Sequence, residues 1–482
     1  MADLEFSKEL KTIETQIEGL VVYDLAVHGD NRGWFKENWQ REKMTKLGLP
    51  DFGPVQNNFS FNDKKGVVRG LHAEPWDKFI SLGAGKIFGV WVDIRKDSKT
   101  FGNVFTTELD PTMAIFVPRG IANGYQTLDN ETVYSYLVND HWSADAQYSN
   151  VSIFDKSLGI EWPIPLSECE VSDKDKNHPP LKDATPIEPK KTLIIGAYGQ
   201  LGRALSRVFP DAEQVDRDTF DMSNPDIATA RRWRDYGLIL NAAAYTAVDL
   251  AETPDGRKDS WLANATALTN LVKVCNENNV TLVHVSSDYV FDGTQNPHAE
   301  DEALAPLGVY GQSKAAGDLV VSTTPRHYLV RTSWVIGDGK NFVLTMKSLA
   351  EKGVKPSVVS DQVGRLTFTQ DLAAAIKHLV DHQPGLYTPN SNSQIPIASY
   401  GTYNLSNEGE PASWADIAKE VYWLMGSSRE DVTPVTTKEY YAGKDGIAPR
   451  PLQSTLNLDK INATGFTPRE WKQALSEYLE TK

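Results

Sequence analysis

The pattern of apolar and polar positions changes near residue 175. Before that point, short apolar or alternating runs are separated by turns rich in glycine, proline, asparagine and aspartate, and no long helical stretch interrupts them. This pattern predicts β-strands at 21–27, 86–93, 115–117 and 132–138. We therefore expect residues 1–175 to form an all-β domain that is closed or sandwiched.

From residue 191 onward, apolar runs alternate with helical stretches. Runs at 193–195, 238–240, 282–285 and 328–330 are typical of buried strands, and 259–276 is typical of a helix. Such alternation predicts βαβ units and a parallel sheet over 191–482. Residues 176–190 are charged, proline-rich and nearly free of apolar anchors, so we expect a linker there.

Bulk composition narrows the class of protein. A chain of 482 residues is too long to fold around one ordinary hydrophobic core, so more than one domain is expected. Its contents of 40% hydrophobic and 23% charged residues are typical of a soluble globular protein. The net charge of −15 argues against a nucleic-acid partner. Cys169 and Cys275 lie far apart, and no run suits a membrane or a leader, so we expect a cytoplasmic location.

A glycine-rich turn follows the first strand of the second half, in T-L-I-I-G-A-Y-G-Q-L-G. A strand that ends in such a turn and continues as a helix lets backbone N–H groups approach a pyrophosphate. The residues expected to contact a nicotinamide coenzyme in this turn are Gly196, Gly199, Gln200, Leu201 and Gly202.

Two further segments are expected near the same coenzyme. Asp216 stands about twenty residues after the glycines, where a carboxylate would bind the ribose 2′-hydroxyl, whereas neighbouring Arg217 would face a 2′-phosphate. The choice between NADH and NADPH stays open. The small residues after the next strand are expected to form a coenzyme wall, and they are Ala242, Ala243 and Ala244.

Tyr310 and Lys314 form a Tyr-x-x-x-Lys pair in V-Y-G-Q-S-K. Four residues apart on a helix, the two side chains share one face. The ammonium favours the tyrosinate, which allows the phenol to donate a proton near neutral pH. Ser286 and Ser287 end an earlier apolar run, and this order of elements predicts a nicotinamide-dependent reductase.

The second half closely resembles the dTDP-4-dehydrorhamnose reductases, which belong to the extended short-chain dehydrogenases/reductases with a Rossmann domain. The resemblance is carried by I-G-A-Y-G-Q-L-G, N-A-A-A-Y-T-A-V-D-L-A-E, S-S-D-Y-V-F-D-G, Y-G-Q-S-K-A-A-G, R-T-S-W-V and S-D-Q-V-G-R-L-T. It implies that Tyr310 protonates the C4 carbonyl oxygen, that Lys314 tunes it and holds the nicotinamide ribose, and that Ser287 binds the same carbonyl. It also implies a small C-terminal part that binds the nucleotide sugar through Trp334, Asp361, Gln362 and Arg365.

In the first half, polar residues are densest between Gln56 and Lys78. Alternate strand residues, including Gln56 and Asn58, point the same way, and a polar stripe inside a barrel is costly unless it binds something. Arg69 and His72 lie in the same segment. The histidines of this half are His28, His72, His141 and His178. None forms an H-x-H pair, so we expect no metal.

The same half resembles the dTDP-4-dehydrorhamnose 3,5-epimerases, which implies a cupin-like jelly-roll barrel. The resemblance is carried by D-N-R-G-W-F-K-E-N, the segment 56–78, F-V-P-R-G-I-A-N-G-Y, Y-S-Y and S-L-G-I-E-W-P. It implies that His72 removes protons at C3 and C5, that Asp175 orients His72, that Lys78 stabilises the enolate, and that Tyr136 rather than Tyr134 returns the proton. The implied substrate-binding residues are Arg32, Glu37, Gln56, Asn58 and Arg69, with the two arginines on the diphosphate.

Together these resemblances imply a bifunctional enzyme that makes dTDP-L-rhamnose from dTDP-4-dehydro-6-deoxy-D-glucose, with NADPH or NADH. We also expect a homodimer formed through the β-barrel. Many epimerases carry histidine where Asn123 stands. Two alternatives therefore stay open: an epimerase that acts at one carbon and yields another dTDP-6-deoxyhexose, or an N-terminal domain that binds nucleotide sugar without catalysis.

Overall fold

The computed structural model describes residues 4–384 and 397–482, and they divide into two compact units. The first unit extends to Pro189 and the second begins at Lys190. This division confirms the two-domain organisation. No helix among the described residues is both long and apolar enough to cross a membrane.

The first unit is built mainly from β-strands. Its strands are β1 (Lys11–Glu14), β2 (Val21–Asp24), β3 (Val27–Asp30), β4 (Gly33–Lys36), β5 (Gln56–Asn62), β6 (Val67–Ala73), β7 (Lys78–Ala84), β8 (Ile87–Asp93), β9 (Val104–Leu109), β10 (Met113–Val117), β11 (Ile121–Thr127), β12 (Thr132–Val138), β13 (Ser149–Asn150) and β14 (Glu170–Val171). Its short helices are α1 (Arg41–Lys46) and α2 (Asp173–Lys176).

Two largely antiparallel sheets pack face to face in this unit. One has the strand order β1-β2-β10-β7-β12-β5, and the other has β13-β6-β11-β8-β9 with β14 beside β6. Ile80 and Tyr134 of the first sheet and Trp91 and Tyr125 of the second are buried in one apolar cluster. Edge strands β5 and β9 keep one face outside, whereas β7, β8 and β11 are buried along almost their whole length.

The segment 176–190 is largely anchored to the first unit. Ile187 is buried and pairs with Arg95 through a backbone bridge, and Lys96 forms an ion pair with Glu188 at 3.0 Å. The segment 176–190 therefore bonds to residues of the first unit. The connection that the composition predicts over fifteen residues is much shorter, because Ile187, Leu181 and Ala184 all pack against an apolar cluster of the first unit.

The second unit alternates strands and helices. Its strands are β15 (Lys191–Ile195), β16 (Glu213–Val215), β17 (Tyr236–Asn241), β18 (Thr281–Ser287), β19 (His327–Thr332), β20 (Val335–Ile336), β21 (Ser357–Val359), β22 (Val363–Gly364), β23 (Thr367–Phe368), β24 (Gly401–Asn404), β25 (Ala412–Ser413) and β26 (Thr433–Val435). Its helices are α3 (Gln200–Val208), α4 (Pro254–Trp261), α5 (Ala267–Asn278), α6 (Val309–Val321), α7 (Phe342–Glu351), α8 (Thr369–Asp381), α9 (Trp414–Leu424), α10 (Thr437–Tyr440), α11 (Asp459–Asn462) and α12 (Trp471–Glu480).

A parallel sheet of order β16-β15-β17-β18-β19-β24 forms the centre of this unit. Helices α3 and α8 cover one face, where Leu205 and Ile376 are buried, and α5 covers the other, where Leu271 is buried. A further apolar cluster joins α7, α9 and α12. Burial on both faces explains why the central strands are continuous apolar runs.

Candidate active sites

The two sheets of the β unit bring the polar residues of segment 56–78 together with residues from distant strands. His72 lies near the end of β6, directly opposite Asn123 of β11. Lys78 begins β7 in the facing sheet, and Tyr136 lies on its neighbour β12. Since strand pairing fixes these positions, the cluster is built on rigid elements.

Asp175 holds His72 in place. Its Oδ1 lies 3.0 Å from Nε2 of His72, and its Oδ2 accepts a hydrogen bond from the backbone N–H of Gly70 at 3.1 Å. Burial alone would raise the pKa of this carboxyl, but the hydrogen bonds from His72 and Gly70 lower the pKa below its ordinary value. An ionised Asp175 favours a fixed tautomer and orientation of His72.

Lys78 is buried and fully engaged. Its Nζ lies 2.6 Å from a carboxylate oxygen of Glu74, donates to Oδ1 of Asn123 at 3.3 Å, and sits 5.4 Å from the ring centre of Tyr136. Burial, followed by the negative charge of Glu74, raises the pKa of Tyr136. A protonated phenol therefore lies beside a positive charge.

Asn123 joins the two sides of this cluster. Besides accepting from Lys78, its amide donates to the backbone carbonyl of His72 at 2.7 Å. The residue that departs from the family pattern thus supports both the strand of His72 and the position of Lys78.

The polar stripe of β5 is present, although its members bond to one another. The amide nitrogen of Gln56 donates a hydrogen bond to Asn58 at 2.7 Å, and its Oε1 lies at hydrogen-bond distance, 2.9 Å, from Nδ1 of His141. Arg69 donates to Asn62 at 3.0 Å, and its charge offsets a small part of the rise that burial and Glu74 cause in the pKa of Tyr136. Arg69 is therefore brought into the His72 cluster as the sequence predicts.

Arg32 and Glu37 are not brought into it. Arg32 lies in the turn of the β3–β4 hairpin, where it is highly exposed and pairs with Asp30 at 2.5 Å. Glu37 follows that hairpin and forms an ion pair with Lys43. Both side chains form ion pairs with residues close to them in the sequence. A match to a sequence motif does not show such pairing.

His178 is the residue that the sequence interpretation missed. Its ring meets that of His72 edge-on with centres 5.4 Å apart, and its Nε2 lies 3.6 Å from Oδ1 of Asp175. Burial, followed by the charge of His72, lowers the pKa of His178. The available signal was its position three residues after Asp175, one helical turn away.

In the second unit, the glycine turn packs α3 tightly against β15. Gly196 has a positive φ of 75°, and a Cβ there would lie 2.8 Å from the backbone nitrogen of Ala243. A Cβ at Gly202 would overlap the carbonyl oxygen of Gly196. Gln200, Leu201 and Gly202 are the first residues of α3, so their backbone N–H groups lack helical acceptors and suit an anion.

A cavity of about 280 Å³ lies beside this turn. Arg217, Ala243 and Ala244, three of the predicted coenzyme contacts, line it. Ala242 instead donates its N–H to Ile195 at 3.0 Å and packs beneath. Asp216 is not among the lining residues.

The carboxylate of Asp216 caps its own turn. It accepts hydrogen bonds from the backbone N–H groups of Asp218 and Thr219, each at 3.1 Å, and from the Thr219 hydroxyl at 2.9 Å. All three bonds end on Oδ1, so a contact of Asp216 with the coenzyme ribose stays a prediction. Arg217 is the charged residue of the pair that reaches the cavity.

Ser287, Tyr310 and Lys314 meet at the carboxyl end of β18. Burial raises the pKa of Tyr310, and the nearby Ser287 hydroxyl offsets part of that rise. The Ser287 hydroxyl donates to Oδ1 of Asp288 at 2.9 Å. Lys314 is buried on the same helix and donates to the carbonyl of Val285 at 2.8 Å. Burial lowers the pKa of Lys314 to about 8. The structure thus places the three residues at one end of the sheet, and their role in proton transfer stays a prediction.

A second cavity, of about 450 Å³, lies next to this group. Trp334 and Gln362, two of the predicted nucleotide-sugar contacts, line it. The sequence interpretation missed Tyr289, Trp414 and Arg450, which line it as well. Tyr289 contacts Tyr310 edge-on at 5.4 Å, and Trp414 stacks on Trp334 at 3.8 Å between ring centres.

Asp361 and Arg365 do not line the larger cavity. Instead, they form hydrogen bonds to other segments of the second unit. Asp361 accepts the backbone N–H of Thr437 at 2.8 Å and its hydroxyl at 2.6 Å. Arg365 donates to the carbonyls of Gly409 and Leu456 at 2.7 and 3.1 Å. Contact of either residue with a nucleotide sugar stays a prediction, because the bonds above lie within the protein.

Comparisons with known proteins assign the two units separately. Residues 14–183 match the family model of dTDP-4-dehydrorhamnose 3,5-epimerase, and residues 190–482 match that of the RmlD substrate binding domain. The RmlC homolog of Streptococcus pyogenes is 50% identical over 198 residues, which are 39% of this chain and 99% of that protein.

The second unit has relatives of known activity and structure. The dTDP-4-dehydrorhamnose reductase of Aggregatibacter actinomycetemcomitans is 34% identical over 59% of this chain and 97% of its own. The crystal structure of the Bacillus anthracis reductase in complex with NADP is 30% identical, covers 61% of this chain and all of that one, and has a TM-score of 0.53. The chain therefore belongs to the dTDP-4-dehydrorhamnose 3,5-epimerase family in its first unit and to the dTDP-4-dehydrorhamnose reductase family in its second.

Proposed function

We propose that this chain epimerises dTDP-4-dehydro-6-deoxy-D-glucose at C3 and C5 and then reduces the C4 ketone with NADPH, giving dTDP-L-rhamnose. The observation that carries the proposal is that each unit places a candidate proton-transfer residue beside a polar partner. His72 lies 3.0 Å from Asp175 in the epimerase unit, and Tyr310 lies beside Ser287 in the reductase unit.

In the epimerase unit, His72 is the base. Protons at C3 and C5 are acidic because each carbon adjoins the C4 ketone, and Asp175 stabilises the imidazolium that forms. Lys78 carries the charge that stabilises the enolate oxygen. Tyr136, whose pKa is raised, stays protonated and returns the proton on the opposite face.

Only some of the substrate-binding residues that the sequence predicts lie near His72 in this unit, and we assign nucleotide binding to these. We assign the diphosphate to Arg69, whose charge acts on the Tyr136 phenol. Gln56 and Asn58 supply amide hydrogen bonds from the edge of the same cluster. Arg32 and Glu37 stay predicted substrate contacts.

In the reductase unit, the residues present fit a dinucleotide coenzyme. The N-terminus of α3 receives the diphosphate, and Arg217 in the adjoining cavity favours the 2′-phosphate of NADPH. When bound, NADPH supplies a hydride to C4. Tyr310 gives its proton to the C4 oxygen, Ser287 orients that oxygen by a hydrogen bond, and Lys314 stabilises the tyrosinate.

The nucleotide sugar is assigned to the larger cavity. Trp334 and Trp414 offer an aromatic stack, and Gln362 and Arg450 offer polar contacts. Asp361 and Arg365 shape this cavity from behind.

The finer fold assignments follow the same reasoning. We assign the face-to-face antiparallel sheets to a cupin-like jelly-roll barrel, and the parallel sheet with helices on both faces to a Rossmann domain of the extended short-chain dehydrogenase/reductase type. The homodimer is supported by Phe59 and Phe61, which are exposed on edge strand β5. The cytoplasmic location stays a prediction.

Incubation with the 4-keto sugar nucleotide tests the proposal. With NADPH in D₂O, the product should be dTDP-L-rhamnose that carries deuterium at both C3 and C5, as read by NMR. Deuterium at only one carbon would identify the single-carbon alternative. Reduction without any exchange would identify a non-catalytic first unit.

The coenzyme preference should depend on Arg217. Replacing Arg217 by alanine is expected to raise the KM for NADPH about tenfold, equivalent to roughly 1.4 kcal/mol, while the KM for NADH changes little. Initial rates with both coenzymes measure the ratio, and NADH serves as the internal control. An unchanged ratio would show that the 2′-phosphate is bound elsewhere.

The reductase should also lose activity in mild alkali. The pKa of Lys314 is lowered to about 8, so its ammonium is charged below that pH and neutral above it. We expect the reductase kcat to fall as the pH rises through about 8, because an uncharged amine no longer stabilises the tyrosinate of Tyr310. Rates at saturating NADPH from pH 6 to 10 test this; a flat profile would contradict it.

A further inference from the structure

Three potential metal ligands converge beside the epimerase base. His72, Asp175 and His178 each offer one ligand atom, and these atoms all lie within 4.8 Å of one another. Oδ1 of Asp175 is 3.0 Å from Nε2 of His72 and 3.6 Å from Nε2 of His178. Tetrahedral ligands of Zn²⁺ at about 2.0–2.1 Å are about 3.3 Å apart, so the two distances bracket the required spacing.

His178 supplies an independent sign of a ligand. Its side chain is 5% exposed, yet neither ring nitrogen has a hydrogen-bond partner of acceptable geometry. Buried polar groups are normally satisfied, and an unsatisfied imidazole directed at a carboxylate and a second imidazole is unusual. His72, in contrast, is 36% exposed, which leaves a path for an ion from solvent.

We propose that His72, Asp175 and His178 bind Zn²⁺ and that the bound ion inhibits the epimerase. Two imidazoles and one carboxylate form a donor set that Zn²⁺ prefers, with a fourth position open to water. The ion would bind Nε2 of His72 in place of the His72–Asp175 hydrogen bond. The single proton of the neutral ring would then lie on Nδ1, the nitrogen that otherwise removes a proton from the substrate. The inhibitory part of this inference rests on the proposed function, whereas the binding part does not.

The binding part is tested by titrating the full-length protein with Zn²⁺ against a chromophoric chelator. The variant is His178→Phe, which keeps an aromatic ring beside His72 and removes the ligand, with His28→Phe as the matched exposed control. We expect the variant to lose more than about 100-fold in affinity, above the range for outer-shell changes. Equal affinity in His178→Phe and His28→Phe would overturn the proposal, as would no binding by the parent protein at micromolar Zn²⁺.

The inhibitory part is tested by deuterium exchange at C3 and C5. Zn²⁺ should stop exchange by the parent protein, EDTA should restore it, and reduction of pre-epimerised substrate should continue. His178→Phe should exchange in the presence of Zn²⁺. If His178→Phe does not fold by circular dichroism, His178→Leu takes its place. Equal inhibition of parent and variant overturns the proposal, whereas absence of exchange before Zn²⁺ is added contradicts the proposed function and leaves the binding titration decisive.

Discussion

Replacing Tyr310 by phenylalanine is expected to abolish reduction of the C4 ketone while leaving exchange at C3 and C5 intact. The phenol is the only proton source that we assign to the C4 oxygen, and a positioned acid contributes about 10²–10⁴-fold. A loss of about 100-fold or more in NADPH oxidation is therefore expected. The phenylalanine ring would keep the edge-on contact with Tyr289, so the variant loses only the hydroxyl.

Deuterium exchange is the internal control for this variant. NMR of the recovered keto sugar should show label at C3 and C5 as in the parent protein. If exchange stops together with reduction, the two reactions are not independent, and the assignment of one reaction to each unit is wrong.

Replacing His72 by asparagine is expected to have the opposite effect. Exchange at both carbons should fall by about 10²–10⁴-fold, the contribution of a positioned base, since the remaining groups Lys78 and Tyr136 are cationic or protonated. Reduction of pre-epimerised substrate should proceed at the parent rate. Rhamnose nucleotide formation from the original keto sugar should stop.

His28→Asn is the matched control for that experiment, because His28 lies exposed in the same unit. It should behave as the parent protein in both assays. Undiminished rhamnose formation by the His72 variant would place the base on another residue, and the interpretation of the His72–Asp175 pair would then fail.

Order and spacing along the chain were sufficient to predict the reductase group. The strand, glycine turn, serine and Tyr-x-x-x-Lys pair are local patterns, and in a parallel sheet the carboxyl ends of the strands meet at one edge. Hence Ser287, Tyr310 and Lys314 could be grouped correctly from the amino-acid sequence. The two families and the two-unit organisation were likewise predicted from motifs, and the comparisons confirm them.

The choice of partner by a given side chain could not be predicted in this way. Asp216 bonds to Thr219 within its own turn, and Asp361 bonds to Thr437, seventy-six positions away. Sequence motifs place these residues near the correct region, but hydrogen-bond geometry decides whether their oxygens face a ligand or the protein. His178 was missed for the related reason that only tertiary packing brings it against His72.

The close contact of the glycine turn has a consequence for coenzyme recognition. Gly202 packs against the carbonyl of Gly196, and Gly196 packs against the backbone of Ala243. These contacts within the protein fix the conformation of the loop without a ligand. A preorganised phosphate cradle spends little conformational entropy on binding, so more of the gross interaction remains as affinity. Replacing either glycine by a larger residue would therefore weaken coenzyme binding, because the backbone amides of the loop would be displaced. This effect arises although neither glycine has a side chain that could contact the coenzyme.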